Sequence, residues 1–408
     1  MPGSGSQARE VTVMSARGVV IVGGGLAGMT TASELADLGY PHPITVLGDE
    51  RHQAYARPPL SKGVLKGTDA DNSVLLPDSP SDQIRVRVSS AVVGLDVAAR
   101  QVALADGRVI GYDNLVIASG GRPRRLGDGT GQHVVRTIDD TLRLRDALRV
   151  AADVVVIGGG FLGMEVASAA LSFGARVRVI DVRTPLVPVL GETLGRLTLA
   201  AAHEHGVKVE VCPAGVVVEC EESGQVRRVT SRDGRAFPAD VVVTAIGDVP
   251  NTEWLRGSGV ALDAQGWVVV DDYARAHGDG FAPGEIFAAG DVALLPQSGE
   301  HRRMPHWENA IGQAKAVART LVDGPDETYT PDPYFWTEAF GIAYKIAGPI
   351  PPEGEPEVIK GDLDDRCALV RWAGAAGMTV TAVNHRIPVA KLRRQARGPQ
   401  NVPTVQFQ

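Results

Sequence analysis

The sequence predicts an α/β chain: two domains built on doubly wound parallel sheets, followed by an α+β domain at the C-terminal end. Three observations predict it. The run Val19-Val20-Ile21-Val22 leads straight into Gly23-Gly24-Gly25-Leu26-Ala27-Gly28. The same design returns as Val154-Val155-Val156-Ile157 leading into Gly158-Gly159-Gly160-Phe161-Leu162-Gly163. Continuous β-branched runs, rather than alternating ones, suit parallel strands covered on both faces. After Pro331 the chain turns aromatic and proline-rich and then strand-like, which marks a separate piece.

Each element follows in order. Residues 1–17 lack the apolar centre of a signal peptide and read as a flexible tail, with Met14 as an alternative start. The first glycine turn opens a helix over 29–38 that stops at Gly39, and Ile44–Leu47 is the next strand, closed by Gly48-Asp49-Glu50. Residues 101–105, the turn signal Asp106-Gly107 and a return strand form a hairpin. Strand 115–118 ends in Ser119-Gly120-Gly121-Arg122-Pro123. In the second unit, strand 177–180 ends at Asp181, Asp233-Gly234 marks another hairpin, and strand 241–246 runs into Gly247. A last strand, Ile286-Phe287-Ala288-Ala289, precedes Gly290-Asp291. These elements place one domain over 18–124 and 252–326, a second over 125–251, and the C-terminal domain over 327–408.

The repeated turn carries the chemistry. In G-x-G-x-x-G the first glycine makes a tight turn and the second admits a phosphate close to the backbone. The third lets helix and strand pack closely, while the helix N-terminus faces negative charge. Gly23, Gly25 and Gly28, with Ala27 between, and Gly158, Gly160 and Gly163, with Phe161 and Leu162 between, meet that pattern. Both units are therefore expected to be Rossmann-like, binding two different dinucleotides side by side. Asp49 stands 21 residues after Gly28, where a carboxylate holds an adenosine ribose, and Glu50 is its competitor one position on. Asp181 stands 18 residues after Gly163 in the second unit. It favours NADH, whereas Arg183, two residues on, is the residue type that accommodates a 2′-phosphate.

Composition excludes other classes. At 408 residues the chain exceeds one ordinary core. A net charge of −7 argues against nucleic acid as the main partner, and no apolar run approaches the roughly 20 residues of a membrane span. Cys212, Cys220 and Cys367 form no C-x-x-C pair and read as free thiols in a reducing cytoplasm. No metal-ligand spacing appears, and His306 reads as a packed or surface histidine.

Several strings resemble one family. They are Arg57-Pro58-Pro59-Leu60-Ser61-Lys62; Ala289-Gly290-Asp291; His306-Trp307-Glu308-Asn309-Ala310 with Gln313; Ser119-Gly120-Gly121-Arg122-Pro123; and Phe335-Trp336-Thr337-Glu338. Together with the two glycine turns they resemble the two-dinucleotide flavoprotein family of pyridine-nucleotide oxidoreductases, with a glutathione reductase-like fold. More narrowly, they are similar to the ferredoxin reductases that feed bacterial haem monooxygenases and ring-hydroxylating dioxygenases. Rubredoxin reductases and the apoptosis-inducing-factor flavoproteins are close relatives. Thr337, Glu338 and Ala339 depart from the family's usual S-D-Q, and Pro185 stands where the family has an arginine.

The resemblance implies FAD and NADH as cofactors, with NADPH second. It implies cofactor contacts from Arg57, Lys62, Ala118, Gly120, Arg122, Ile246, Gly247, Gly290, Asp291, His306, Trp307, Glu308 and Trp336. Glu165 is expected in the first turn of the second fingerprint's helix, where the helix N-terminus favours a carboxylate. Paired with Lys62 beside the flavin it would be catalytic, the cation favouring the electron-rich reduced ring; the alternative is a structural ion pair. Disulfide reductases of this fold need cysteines near the flavin, and this chain has none before Cys212, so electrons leave to an external acceptor. A ferredoxin with a [2Fe-2S] or similar centre is the implied partner. The rivals are a rubredoxin reductase, an NADH oxidase, and a redox-sensing flavoprotein of the apoptosis-inducing-factor type. Lys391, Arg393, Arg394 and Arg397 form a basic cluster that reads equally as a ferredoxin landing patch or as a solvated tail.

Overall fold

The computed structural model describes residues 13–14, 18–77, 81–297 and 300–398. Of the tail expected over 1–17, only Val13–Met14 falls among them, as a short strand parallel to Val109–Gly111; the rest lies outside the described residues. The chain divides into two compact units. One takes the chain up to Tyr55, Leu75–Gly121 and Val249–Pro331; the other takes Ala56–Val74, Arg122–Asp248 and the chain from Asp332.

The first unit is built on a five-stranded sheet in the order Ile286–Ala288, Asn114–Ile117, Val19–Val22, Ile44–Leu47, Ile84–Arg87. All four pairings are parallel. The β-branched run Val19–Val22 buries every residue because both faces are covered. Val20 and Val22 pack with Leu115, Ile117 and Trp254 on one side. Val19 and Ile21 pack on the other with Leu35, Val317 and Ala318, from helices Leu26–Asp37 and Trp307–Asp323. Full burial of each such side chain contributes roughly 1.5–3 kcal/mol, so the glycine turn sits on a stiff platform. The helix begins at Leu26, three residues ahead of the expected 29, because Leu26-Ala27-Gly28 already form its first turn.

The second unit repeats the plan. Its parallel sheet runs Gln132–His133, Val241–Thr244, Asp153–Ile157, Arg176–Asp181, Lys208–Val211. Again the fingerprint strand is central, and its Val155 and Ile157 pack with Val216, Val229 and Phe237. Val216–Cys220, Val226–Ser231 and Ala236–Pro238 make a small antiparallel sheet, turning at Asp233-Gly234 where Gly234 has φ +93°. Strand Val241–Thr244 ends two residues short of the expected 246, where the chain peels into the loop holding Ile246 and Gly247.

The C-terminal segment of this unit is α+β. Five antiparallel strands run in the order Tyr334–Ala339, Ile342–Ala347, Gly377–Val383, Cys367–Gly374, Glu357–Asp362, and helix Val389–Arg397 follows. Within the unit it is fastened by buried polar contacts. The Tyr344 hydroxyl lies 2.8 Å from Thr198 Oγ1, and the Phe340 N–H donates to Ser168 Oγ at 2.9 Å. Burial pushes the Tyr344 phenol up to about 12. Residues 56–74 join the same unit, where Arg145 holds Asp71 through two bonds of 2.8 and 3.1 Å.

Candidate functional site

In the first unit, the central strand delivers Gly23 to the carboxyl edge of the sheet, where its N–H donates to the Leu47 carbonyl at 2.8 Å. Gly23 has φ +122°, and a Cβ on Gly28 would lie 1.9 Å from the Gly23 carbonyl oxygen. The helix can therefore lie on its strand only with hydrogen at position 28. Gly25 is different: nothing lies within 4 Å of its Cβ position, so a ligand can approach the backbone there. Helix Leu26–Asp37 opens with no side-chain cap and no acidic residue in its first turn. Helix Ile138–Leu148 shows the ordinary alternative, a capping box closed by Thr137 and Asp140. A helix start left uncapped by its own chain, at the positive end of the dipole, is suited to an anionic group.

The second unit repeats this geometry. Gly158 N–H donates to the Ile180 carbonyl at 2.8 Å, and helix Phe161–Ala170 likewise starts without a side-chain cap. A Cβ on Gly163 would lie 1.8 Å from the Gly158 carbonyl oxygen, while the Gly160 side is open. Asp181 ends its strand with both carboxylate oxygens engaged by backbone: Oδ2 accepts from Gly159 N–H at 2.6 Å and Oδ1 from Arg183 N–H at 3.0 Å. The Arg183 side chain is exposed. The matching backbone bonds align Leu47 with Ile180, so Asp181 corresponds to Gly48 and not to Asp49. Asp49, one residue further, is exposed, and Glu50 accepts a bond from the Tyr55 hydroxyl.

Lys62 and Glu165 meet, both in the second unit: Nζ lies 2.7 Å from Oε2, and Glu165 is only 8% exposed. The backbone that presents Lys62 is stiffened by Pro58 and Pro59 in a short 3₁₀ turn, and Nζ also donates to the Pro58 carbonyl at 3.1 Å. Because the helix starts at Phe161, Glu165 lies in its second turn rather than the expected first, so the ion pair, not the helix terminus, is its main electrostatic partner. Two further donors reach the carboxylate. Ser61 Oγ donates to Oε2 at 2.5 Å and Thr337 Oγ1 to Oε1 at 2.6 Å. Sequence reasoning assigned neither a role, although Ser61 lies inside a quoted string and Thr337 is one of the departures from the family pattern. Alternation along Tyr334–Ala339 buries Thr337 and leaves Trp336 38% exposed. Phe335 packs on Phe161 with ring centroids 5.0 Å apart.

The other expected positions fall into two groups. In the first unit, Ala118 and Gly120 follow strand Asn114–Ile117, and the Gly120 carbonyl accepts from Asn251 N–H at 3.0 Å. Gly290 N–H donates to Gln313 Oε1 at 2.5 Å, while the fully buried Gln313 keeps an Nε2 with no hydrogen-bond partner. Asp291 offers its carbonyl to Arg303 Nε at 3.0 Å. His306 precedes helix Trp307–Asp323, whose first turn carries Trp307 and Glu308; burial pushes the imidazole pKa below its ordinary value, against the opposing charge of Asp291. An uncapped glycine turn, an open Gly25 side and a buried donor awaiting an acceptor fit a polar, phosphate-bearing cofactor in this unit.

In the second unit, Arg57 donates to the Arg136 carbonyl, Arg122 is exposed, and Ile246 and Gly247 form the loop after Val241–Thr244. The basic cluster is not a loose tail. It lies on helix Val389–Arg397, where Arg397 and Arg393 both face Asp332 at 2.7 and 3.4 Å, and Arg393 stacks over Tyr334. Lys391 and Arg394 are exposed. All three cysteines are free thiols. Among the described residues no helix is long and apolar enough to cross a membrane.

The chain is similar to known proteins. The chain is 36% identical over 377 residues to the ferredoxin–NAD(+) reductase component of the biphenyl dioxygenase system of Paraburkholderia xenovorans (strain LB400), covering 90% of both chains. It is 33% identical to rhodocoxin reductase of Rhodococcus erythropolis over 90% of this chain and 86% of that one. The structure is similar to that of the covalent putidaredoxin reductase–putidaredoxin complex, with a TM-score of 0.83 and 28% identity over 93% of this chain and 92% of that chain. Residues 17–314 match the family model described as pyridine nucleotide-disulphide oxidoreductase. Two uncapped glycine turns on two parallel sheets, and relatives aligned over nine-tenths of the length, lead to one assignment: the chain belongs to the pyridine nucleotide-disulphide oxidoreductase family.

Proposed function

We propose that this protein is an FAD-dependent NADH:ferredoxin reductase that passes electrons to a small iron–sulfur protein serving a haem monooxygenase or ring-hydroxylating dioxygenase. The observation that carries the reading is the duplicated uncapped glycine turn in a chain with no cysteine before Cys212. Two dinucleotides have a place, and no thiol pair beside the first turn can take the electrons. The names of the relatives supply the external acceptor. When bound, FAD accepts a hydride equivalent from the nicotinamide and releases electrons singly.

The residues divide that work. Gly23, Gly25, Ala27 and Gly28 hold the FAD pyrophosphate by backbone amides, with Asp49 or Glu50 at its ribose and Ala118, Gly120, Gly290, Asp291, His306, Trp307 and Glu308 along the rest of the cofactor. Gly158, Gly160, Phe161, Leu162 and Gly163 hold the NADH pyrophosphate, Asp181 takes the ribose hydroxyls, and Ile246 and Gly247 line the same pocket. Arg57, Arg122 and Trp336 act on the flavin side. Lys62, braced by Glu165, sets a positive charge toward the flavin. Residues 18–124 with 252–326 form the FAD domain, 125–251 the nicotinamide domain and 327–408 the C-terminal domain. Lys391 and Arg394, exposed on the basic helix and outside its contacts with Asp332, favour an acidic ferredoxin, with the cytoplasm as the place of action.

Two measurements test this. Acid precipitation is expected to release the flavin, and mass spectrometry of the supernatant to show FAD; FMN alone would contradict the ribose and pyrophosphate assignments. Cytochrome c reduction by NADH is expected to be fast only with added ferredoxin. Rapid oxygen consumption without it would instead favour an NADH oxidase, and slow turnover through a long-lived reduced-flavin charge-transfer complex a redox sensor.

A further inference from the structure

Strand Gln132–His133 edges the parallel sheet of the second unit and borders a cavity of about 370 Å³. Arg125, His133, Asp140, Arg143, Asp240 and the turn at Gly224-Gln225 line it. Strand register separates it from the glycine turn of the same unit. Asp240 precedes strand Val241–Thr244, whereas Gly158 follows Ile157, which pairs with Thr244 at the other end of that strand. The volume falls within the range of small-molecule sites, about 300–1,000 Å³.

The two carboxylates of the lining are already engaged. Asp240 Oδ2 accepts the Ala152 and Asp153 N–H groups at 2.8 and 2.9 Å. Asp140 closes the capping box of helix Ile138–Leu148 through Oδ2 and pairs with Arg143 through Oδ1 at 2.5 Å. The cationic side is less satisfied. Arg125 makes one bond, from Nη1 to the Gln132 carbonyl at 2.6 Å, which leaves its other donors without an acceptor among the described residues. The half-buried His133 ring has no hydrogen bond among them either. Burial holds the His133 pKa below its ordinary value, and the charges of Arg143 and Arg125 push the same way against the smaller opposing effect of Asp140. The ring therefore stands in a net positive field, and Arg125 and Arg143 are exposed where a solute can reach them.

We propose that this cavity binds a small phosphate-bearing anion through Arg125, His133 and Arg143, at a place separate from the glycine turn of the same unit. Phosphate suits the set better than carboxylate because it presents three acceptor oxygens, one for each of the three side chains. Guanidinium forks match such oxygens in geometry as well as in charge. A bound anion reverses the field at the ring, so binding and protonation of His133 are linked, each favouring the other.

The test is an NMR titration of the full-length, cofactor-loaded protein carrying labelled histidine, with the His133 signal assigned by its loss in His133→Asn. Inorganic phosphate is the probe, and chloride holds the ionic strength constant so that screening of the arginines does not imitate binding. Phosphate is expected to raise the His133 titration midpoint by about one pH unit, which corresponds to a tenfold coupling. Arg125→Gln is expected to weaken phosphate binding by about tenfold, the scale of one hydrogen bond to a charged group. If that variant does not fold, Arg143→Gln decides by the same criterion. Ribose 5-phosphate in place of phosphate distinguishes the sources: tighter binding identifies a phosphate ester as the ligand, and equal binding identifies the free ion. An excess of NAD+ is expected to leave the His133 response intact. Loss of the response under NAD+ would place the phosphate in the glycine turn and overturn the proposal. An unmoved His133 midpoint, or a response that both arginine variants retain in full, would overturn it equally.

Discussion

Lys62→Met is expected to keep FAD bound and to slow flavin reduction by NADH by about tenfold to a hundredfold, the scale for losing one preorganised charge at a reacting centre. Binding is expected to survive because the Gly23–Gly28 turn, proposed above to hold the dinucleotide by its backbone amides, is not touched by this substitution. Stability falls as well. Removing one partner of a buried ion pair costs about 3–5 kcal/mol when the other charge is abandoned. Here Glu165 keeps the Ser61 and Thr337 hydroxyls, so the loss is expected nearer 2 kcal/mol. Stopped-flow absorbance at the flavin band separates the two effects, since it reads the reduction step in molecules that have folded and loaded. Reduction at the wild-type rate would make the pair structural.

How the pair is built shows what one sequence can and cannot disclose. Lys62 and Glu165 were accessible to inference because each sits in a recognisable string, the proline-rich segment and the second glycine turn. Ser61 and Thr337 lie 104 and 172 positions from Glu165, and no local periodicity relates such distant residues. The two central strands were readable because double-sided burial demands an unbroken β-branched run, and Val19–Val22 alternates between two separate core clusters as that demand implies. The helix after the first of them starts at Leu26, three residues ahead of the expected 29, for a physical reason. Glycine disfavours helix interiors, so Gly28 looked like a boundary, although close contact with the Gly23 carbonyl makes glycine mandatory inside the first turn. The basic helix is the converse case. Its like charges were obvious, but Asp332, which takes Arg393 and Arg397, lies 65 residues before Arg397 and is visible only once the fold returns it.

Spacing alone also hides that the two strand-end carboxylates are not equivalent, and this shapes the expectation for Asp181. Its counterpart by backbone register is Gly48, so the side chain at this place serves the second unit only. Both Asp181 oxygens already accept backbone N–H groups, from Gly159 at 2.6 Å and Arg183 at 3.0 Å, which fixes the carboxylate and leaves further lone pairs for ribose hydroxyls. Wild-type protein is expected to prefer NADH, with NADPH a measurable second substrate, because a 2′-phosphate would meet this held negative charge. Asp181→Ala is expected to lower kcat/KM for NADH by about tenfold to a hundredfold, the range for losing hydrogen bonds to a charged group. Two causes are folded into that number, since the same change frees the Gly159 amide and loosens the turn proposed to hold the pyrophosphate. NADPH separates them. A loosened turn lowers kcat/KM for both cofactors alike, whereas loss of a ribose contact lowers it for NADH and spares or raises it for NADPH as the like charge disappears. The decisive quantity is therefore the ratio of the two kcat/KM values, which is expected to collapse toward unity in Asp181→Ala. A ratio that stays fixed assigns Asp181 to the turn, and a wild-type preference for NADPH assigns control of the pocket to Arg183, whose exposed guanidinium stands two residues along the same loop.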